Sequence, residues 1–225
     1  MTISWYGQSC FRVETREATL AIDPFSKELG LVPPRFQADV VLVTHAHPDH
    51  ANTMAFTARE GDAAPAIIAG PGEYEIRGLA ISGILTYHDR SQGSERGLNT
   101  VYRIHAPSED ITLVHLGDLG ETALRSETLE ALGNVDILMI PVGGTYTIDG
   151  ETASRIVNQI EPSLVIPMHY QLPGLKVKLA PLEPFLKSCG ATAAERLERL
   201  SIKKRDLSTE ETRVVVFTPG GHAKQ

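Results

Sequence analysis

The stretch DVVLVTHAHPDH, residues 39–50, runs four apolar residues, Val40 to Val43, straight into His45, His47, Asp49 and His50. A nearly continuous β-branched run suits a strand covered on both faces, so a strand is predicted over 39–47. In extended backbone alternate residues share a side, which would turn His45 and His47 together toward one ion. Pro48 then forces a turn and frees Asp49 and His50 to face a second. Neutral imidazole and carboxylate are ligand types that zinc, iron and manganese accept. A His-rich turn can also be a solvated loop, but four potential ligands placed directly after a buried strand favour metal binding.

The same design recurs along the chain. ITLVHLGD (111–118), DILMIPVGG (136–144) and SLVIPMHY (163–170) are apolar runs that each end in polar or small residues. Between them ETASRIVNQIEP (151–162) places Ala153, Ile156, Val157 and Ile160 at helical spacing until Pro162, with Asp149 available as a cap. LEPFLKSCG (182–190) repeats the device with Leu182, Phe185, Leu186 and Cys189, and Gly190 stops it. TISWYGQSCFRVET (2–15) and ATLAIDP (18–24) read as antiparallel strands, and LSIKK (200–204) and TRVVVFTP (212–219) as another pair. Strand pairs combined with strand–helix units imply helix-covered sheets whose polar strand ends converge on one edge.

Composition bounds the function. With 225 residues, 42% of them hydrophobic, the chain can bury a substantial core, and one domain over 1–225 is expected. Two cysteines, neither in a CxxC pair, read as reduced core residues. The opening residues show no basic start followed by a long apolar stretch, and no segment reaches the roughly 20 apolar residues of a membrane helix, so a cytoplasmic protein without membrane attachment is expected. A formal charge of −7 argues against general affinity for nucleic acid.

At His45, His47, Asp49 and His50 the chain resembles the metallo-β-lactamase fold superfamily, whose hallmark is HxHxDH at a strand end. LAIDP before the motif, HLGD in the middle and VIPMHY near the end follow in the superfamily's order, so the resemblance covers nearly the whole chain. The subgroup is similar to compact metal-dependent hydrolases related to ascorbate-6-phosphate lactonase. The resemblance implies an α/β fold, a four-layer αββα sandwich, with a dinuclear site at the edge between two sheets. It also implies two divalent ions, zinc first and manganese or iron as alternatives, holding a hydroxide between them.

Carried over residue by residue, His169 in VIPMHY joins Asp49 and His50 on the second ion. Asp118 in HLGD is shared by both, with Gly117 allowing its backbone to turn. The third histidine for the first ion is assigned to His88, which ends a short apolar run and enters a polar, Gly-rich loop; His115, inside an apolar strand, is the alternative and otherwise a buried group supporting the ligands, and His105 borders a Pro-containing turn and reads as exposed. Asp23 in LAIDP matches the residue beneath the HxHxDH turn that orients a ligand, although an Asp-Pro pair also makes ordinary turns. Asp49 and Asp118 are the expected catalytic carboxylates.

Substrate choice falls to loops. Tyr146 in PVGGTYTIDG could stand over the metals or in a plain surface turn. Arg90, Arg96 and Asn99 could bind an anionic group, and Lys176 and Lys178 follow His169 closely enough to reach a phosphate. The expected function is hydrolysis of a small anionic ester, lactone or phosphoester. A nuclease or phosphodiesterase acting on nucleic acid is the runner-up, and a non-catalytic metal-binding module is the second class. A flavodiiron-like oxygen-reducing site is disfavoured because His47 stands where that pattern has Glu. Oligomeric state is not legible.

Overall fold

The computed structural model describes residues 1–58, 64–208 and 210–220. The N-terminal half opens with β1 (Thr2–Gly7), β2 (Cys10–Glu14), β3 (Thr19–Ile22), β4 (Val40–Val43) and β5 (Ala66–Ala69). A meander follows: β6 (Gly72–Ile76), β7 (Leu79–Tyr87), β8 (Leu98–Ala106) and β9 (Ile111–His115). Then strands alternate with helices: α1 (Ser126–Leu132), β10 (Ile137–Pro141), α2 (Gly150–Ile160), β11 (Leu164–Met168) and α3 (Glu183–Ser188). The chain closes with β12 (Glu195–Leu197), β13 (Leu200–Ser201) and β14 (Arg213–Phe217).

These strands form a six-stranded sheet, β13-β1-β2-β3-β4-β5, and an eight-stranded sheet, β12-β14-β11-β10-β9-β8-β7-β6. One apolar cluster draws from both, joining Trp5, Phe11, Leu20 and Leu42 of the first to Tyr102, Leu113, Ile137 and Val165 of the second. Alternation along β4 explains why its run is apolar throughout. Val40 and Leu42 enter the central cluster, whereas Val41 and Val43 pack on the opposite face with Ala21, Phe36 and Phe56. Among the described residues the α-helices lie in the second half of the chain, and α2 packs against β10 and α3. Asp149 caps α2 by accepting from the Thr152 N–H at 2.8 Å, and the helix ends at Ile160, two residues before Pro162.

Two expectations change. LSIKK and TRVVVFTP do not pair: β13 runs antiparallel to β1 in the smaller sheet, while β14 lies between β11 and β12, parallel to both, in the larger. Both segments are short apolar runs, and pairing partners are chosen by sheet edges that local pattern does not encode. The strands also stop earlier than their apolar runs suggest. β4 ends at Val43, β9 at His115 and β11 at Met168, so His45, Asp118 and His169 fall just beyond the ladders. There the backbone is released from sheet pairing and can turn side chains inward. Among the described residues no helix is long and apolar enough to cross a membrane.

Candidate metal centre

The carboxyl ends of β4, β7, β9 and β11, with the β1–β2 turn, meet at one edge of the sandwich. His45 and His47 follow β4 in irregular backbone, yet their ring centroids lie 4.6 Å apart. His88, one residue past β7, approaches both, at 4.7 Å from His45 and 5.0 Å from His47. One donor atom from each of these three rings falls within 4.8 Å of the others, and His45, His50 and Asp118 form a second such group.

Asp118 lies between the two groups. Its Oδ2 is 3.3 Å from His50 Nε2, 3.5 Å from His88 Nε2 and 3.2 Å from His169 Nε2. Its Oδ1 accepts from the Ser9 hydroxyl at 3.0 Å, and its backbone N–H donates to Asn99 Oδ1 at 3.0 Å. Gly117 beside it has φ +56, and a Cβ there would stand 2.4 Å from Asn99 Oδ1, so only glycine fits the turn.

His115 stands apart from both groups. Fully buried, it donates from Nε2 to the Ser9 carbonyl at 2.9 Å and accepts the Gly117 N–H on Nδ1 at 3.1 Å. With both nitrogens engaged it props the β1–β2 turn and the turn leading to Asp118. His105 is half-buried near the far end of β8, with Nδ1 3.2 Å from Thr112 Oγ1, and lies outside the site.

Asp23 sits beneath the HxHxDH loop, fully buried. Its Oδ1 accepts the Thr44 N–H at 2.8 Å, and its Oδ2 accepts the Thr44 hydroxyl at 2.7 Å and lies 3.0 Å from His50 Nδ1. An ionised carboxylate only accepts, so His50 keeps a proton on Nδ1 toward Asp23 and turns Nε2 to the site, the nitrogen that would serve an ion.

The β1–β2 turn supplies a residue that the sequence did not mark. Gln8, 1% exposed, places Nε2 2.8 Å from His169 Nε2 and 3.2 Å from Asp49 Oδ2. Its carbonyl oxygen accepts from the Trp5 indole and the His169 N–H, both at 3.0 Å. A buried polar residue in a two-residue hairpin turn is the only trace Gln8 leaves in the sequence, and turn chemistry alone gives it a surface reading. Gln8, Asp23 and His169 all have positive φ, of 52°, 46° and 52°. Such backbone costs of order 1 kcal/mol or more per residue and collects at functional sites.

Electrostatics follow from burial and crowding. Burial lowers the His45 pKa to about 3, assisted by the neighbouring His50, and burial also lowers His88. Burial opposes charge on His50 too, but Asp118 and Asp23 outweigh it and hold its pKa well above the usual histidine range. Burial would raise Asp118, yet His169 and His50 override it and keep the carboxyl ionised. Asp49 is likewise lowered, its burial overcome by His50.

These donors suit a cation. His45 Nε2 and His50 Nε2, which belong to the second group, are buried without a hydrogen-bond partner. Leaving buried polar atoms unpaired costs about 1–3 kcal/mol each, which a divalent ion bound to imidazole lone pairs would offset.

Two cavities flank the histidines. On the His88 side, about 240 Å³ is lined by Arg90, Arg96, Tyr146 and Thr147. Tyr146 is 41% exposed, and the Arg96 guanidinium lies 5.6 Å from its ring centroid. The loop carrying both arginines is shaped by Asp89, whose carboxylate accepts the N–H groups of Ser91, Gly93, Glu95 and Arg96. On the side of His45 and His47, a larger cleft of about 630 Å³ is mostly apolar. Asn99 does not reach either cavity as an anion donor. It is fully buried, and its amide N–H donates to Thr86 Oγ1 and the Leu116 carbonyl. Lys176 and Lys178 are exposed and line neither cavity.

Comparison with known proteins matches this arrangement. The family described as β-lactamase superfamily domain covers residues 2–169. A UPF0173 protein of Pyrococcus abyssi is 32% identical over 183 residues, covering 76% of this chain and 83% of the relative. A UPF0173 metal-dependent hydrolase of Thermoplasma acidophilum is 29% identical over 191 residues, with 76% and 83% covered. A Thermotoga maritima structure, assigned as a Zn-dependent hydrolase of the metallo-β-lactamase superfamily, is 33% identical with a TM-score of 0.77, covering 96% of this chain and 97% of that one. With its two-sheet sandwich and its HxHxDH loop at the sheet edge, the chain belongs to the metallo-β-lactamase superfamily.

Proposed function

We propose that this protein is a dinuclear metal-dependent hydrolase of a small ester, lactone or phosphoester that carries an anionic group. One ion would be held by His45, His47 and His88, the other by Asp49, His50 and His169, with Asp118 shared. The observation that carries this reading is the position of Asp118 Oδ2, within 3.5 Å of nitrogens from His50, His88 and His169. The hydrolase names of the similar Thermoplasma acidophilum and Thermotoga maritima proteins support it. Zinc is the first candidate, with manganese and iron as alternatives.

Bound divalent ions would supply Lewis acidity and a water activated near neutral pH. The chain's residues supply the rest. Asp23 fixes the His50 tautomer, and Ser9 and Asn99 lock the Asp118 carboxylate and backbone in place. Gln8 holds Asp49 Oδ2, leaving Oδ1 to take up and return a proton. Arg90 and Arg96, in the cavity beside His88, orient the anionic part of the substrate, and Tyr146 supports Arg96 from below.

The test is turnover of a panel of chromogenic esters, lactones and phosphodiesters, with single-stranded and structured RNA, by metal-loaded and metal-free protein at one salt concentration. Two ions per chain by elemental analysis and metal-dependent turnover of the small substrates are expected. At most one ion after reconstitution, or a preference for RNA that weakens steeply with salt, would overturn the reading.

A further inference from the structure

The larger cleft beside the histidines is apolar where a sheet surface should be polar. A sandwich strand normally alternates, with apolar residues inward and polar residues outward, as β6 does in exposing Glu73 and Glu75. β5 follows the inward rule with Ile68, 3% exposed, but its outward residues are Ile67 and Ala69. Across the cleft, Leu85 on β7 and Leu98 on β8 also face outward. Ile67, Leu85 and Leu98 are 54%, 38% and 56% exposed, in a chain with a net charge of −7 that does not lack polar residues for such positions. With Pro71 and Ala51 they line one continuous space of about 630 Å³, within the usual size of a small-molecule site.

The position of this cleft identifies its occupant. His45 and His47 form part of its wall, so whatever fills it ends at the metal centre. Arg96 borders this cleft and also the polar cavity beside His88, where Arg90 lies. Of the three carboxylates lining that polar cavity, Asp89 accepts four N–H groups and Asp149 caps α2, while Glu95, exposed at the rim, accepts from the Ser91 hydroxyl at 2.7 Å and lies 3.8 Å from the Arg96 guanidinium. Two guanidiniums, Arg90 and Arg96, face one carboxylate, Glu95, that is not held by backbone N–H groups, and the balance of charge in the cavity favours an anion. An apolar trough walled by His45 and His47 and a polar pocket walled by His88 thus adjoin one histidine cluster and share Arg96.

Taking the hydrolase reading above as its basis, we propose that the substrate is amphiphilic. An aliphatic chain lies in the cleft between β5 and the β7–β8 hairpin, a compact anionic group faces Arg90 and Arg96, and the bond to be cleaved lies between them at His45, His47 and His88. The substrate class is an alkyl or acyl ester bearing a carboxylate or phosphate, of medium chain length. The gain per methylene is bounded by hydrophobic transfer, at most about fourfold in affinity for each one covered, and less where the trough is open to water.

The experiment uses zinc-loaded protein and a series of non-hydrolysable alkylphosphonates, from methyl through butyl to dodecyl, titrated calorimetrically. The dissociation constant should fall about two- to fourfold per methylene and then level off once the trough is full. Leu98→Gln and Ile67→Gln, both at exposed positions that tolerate polar side chains, should each collapse the octyl-to-methyl affinity ratio. Arg96→Gln should weaken the whole series by a common factor and keep its slope. Affinity independent of chain length, or a slope unchanged in both the Leu98 and Ile67 variants, overturns the proposal. So does sedimentation showing that the same face is buried between two copies of the chain, with dissociation in Ile67→Gln. Chain-length-dependent binding without turnover of any ester would uphold the trough and refute the hydrolase reading. Turnover indifferent to chain length would do the reverse.

Discussion

Replacing Asp23 by asparagine should leave the fold intact and cripple the second of the two proposed metal positions. In the wild-type chain Asp23 Oδ2 faces His50 Nδ1 at 3.0 Å and also accepts the Thr44 hydroxyl, while Oδ1 accepts the Thr44 N–H. Asparagine keeps one acceptor, which the Thr44 N–H can claim, and turns an NH₂ toward His50 Nδ1. Two donors cannot face one another, so the neutral imidazole that must bind an ion is driven to carry its proton on Nε2, which removes the lone pair the ion would use. Loss of such an orienting partner costs 10- to 100-fold in metal affinity, about 1.4–2.7 kcal/mol. Alanine is harsher, since it leaves the Thr44 N–H, the Thr44 hydroxyl and His50 Nδ1 without their acceptor in a fully buried pocket. Removing one partner of such a buried network costs about 3–5 kcal/mol. For a chain of this length that is a fall of roughly 10 °C in the Tm of the metal-free protein. Titration of each variant against a chromogenic chelator measures the first effect, and calorimetry of metal-free protein measures the second. Wild-type affinity for both ions in Asp23→Asn, with a Tm within about 2 °C of wild type in Asp23→Ala, would refute the argument.

Three further substitutions probe the site. His88→Ala should lower affinity for the first ion at least about 100-fold with little change in metal-free Tm, whereas His115→Ala should keep metal content and lose about 2–4 kcal/mol of stability, because both its nitrogens hold turns. Full metal retention in His88→Ala, read by elemental analysis, would move the ligand role elsewhere. Gln8→Leu, nearly equal in volume, should weaken the second ion about tenfold by releasing Asp49, while sparing the first. Stepwise calorimetric titration reads this, and tighter binding of the second ion would show that Gln8 obstructs the position instead of supporting it.

The sequence by itself determined the parts of this protein whose physics is local. Ligand spacing in HAHPDH, the two-faced burial of Val40 to Val43, the Asp149 cap and the stop before Pro162 each depend on residues a few positions apart. Periodicity and side-chain chemistry read them directly. Asp23 and Asp118 are reached through the resemblance of LAIDP and HLGD to the superfamily's motifs, since a carboxylate in such a turn is by itself an ordinary turn former. What only the tertiary structure decided are matters of long-range pairing. The strand-end setting of His88 favours it over His115 in one dimension without excluding His115. The two separate once β7 brings one ring beside His45, while β9 buries the other against Ser9. Gln8 meets His169 across 161 residues and Ser9 meets Asp118 across 109, so nothing near either residue marks it as part of the site. The same holds for Asn99, which looks like a loop amide and is consumed in holding the Asp118 turn. The two C-terminal strands divide between sheets, and the outward apolar residues of β5, β7 and β8 join into one trough. Both outcomes follow from which edges and faces the folded sheets bring together, and hydrophobic pattern names a face without naming its neighbour.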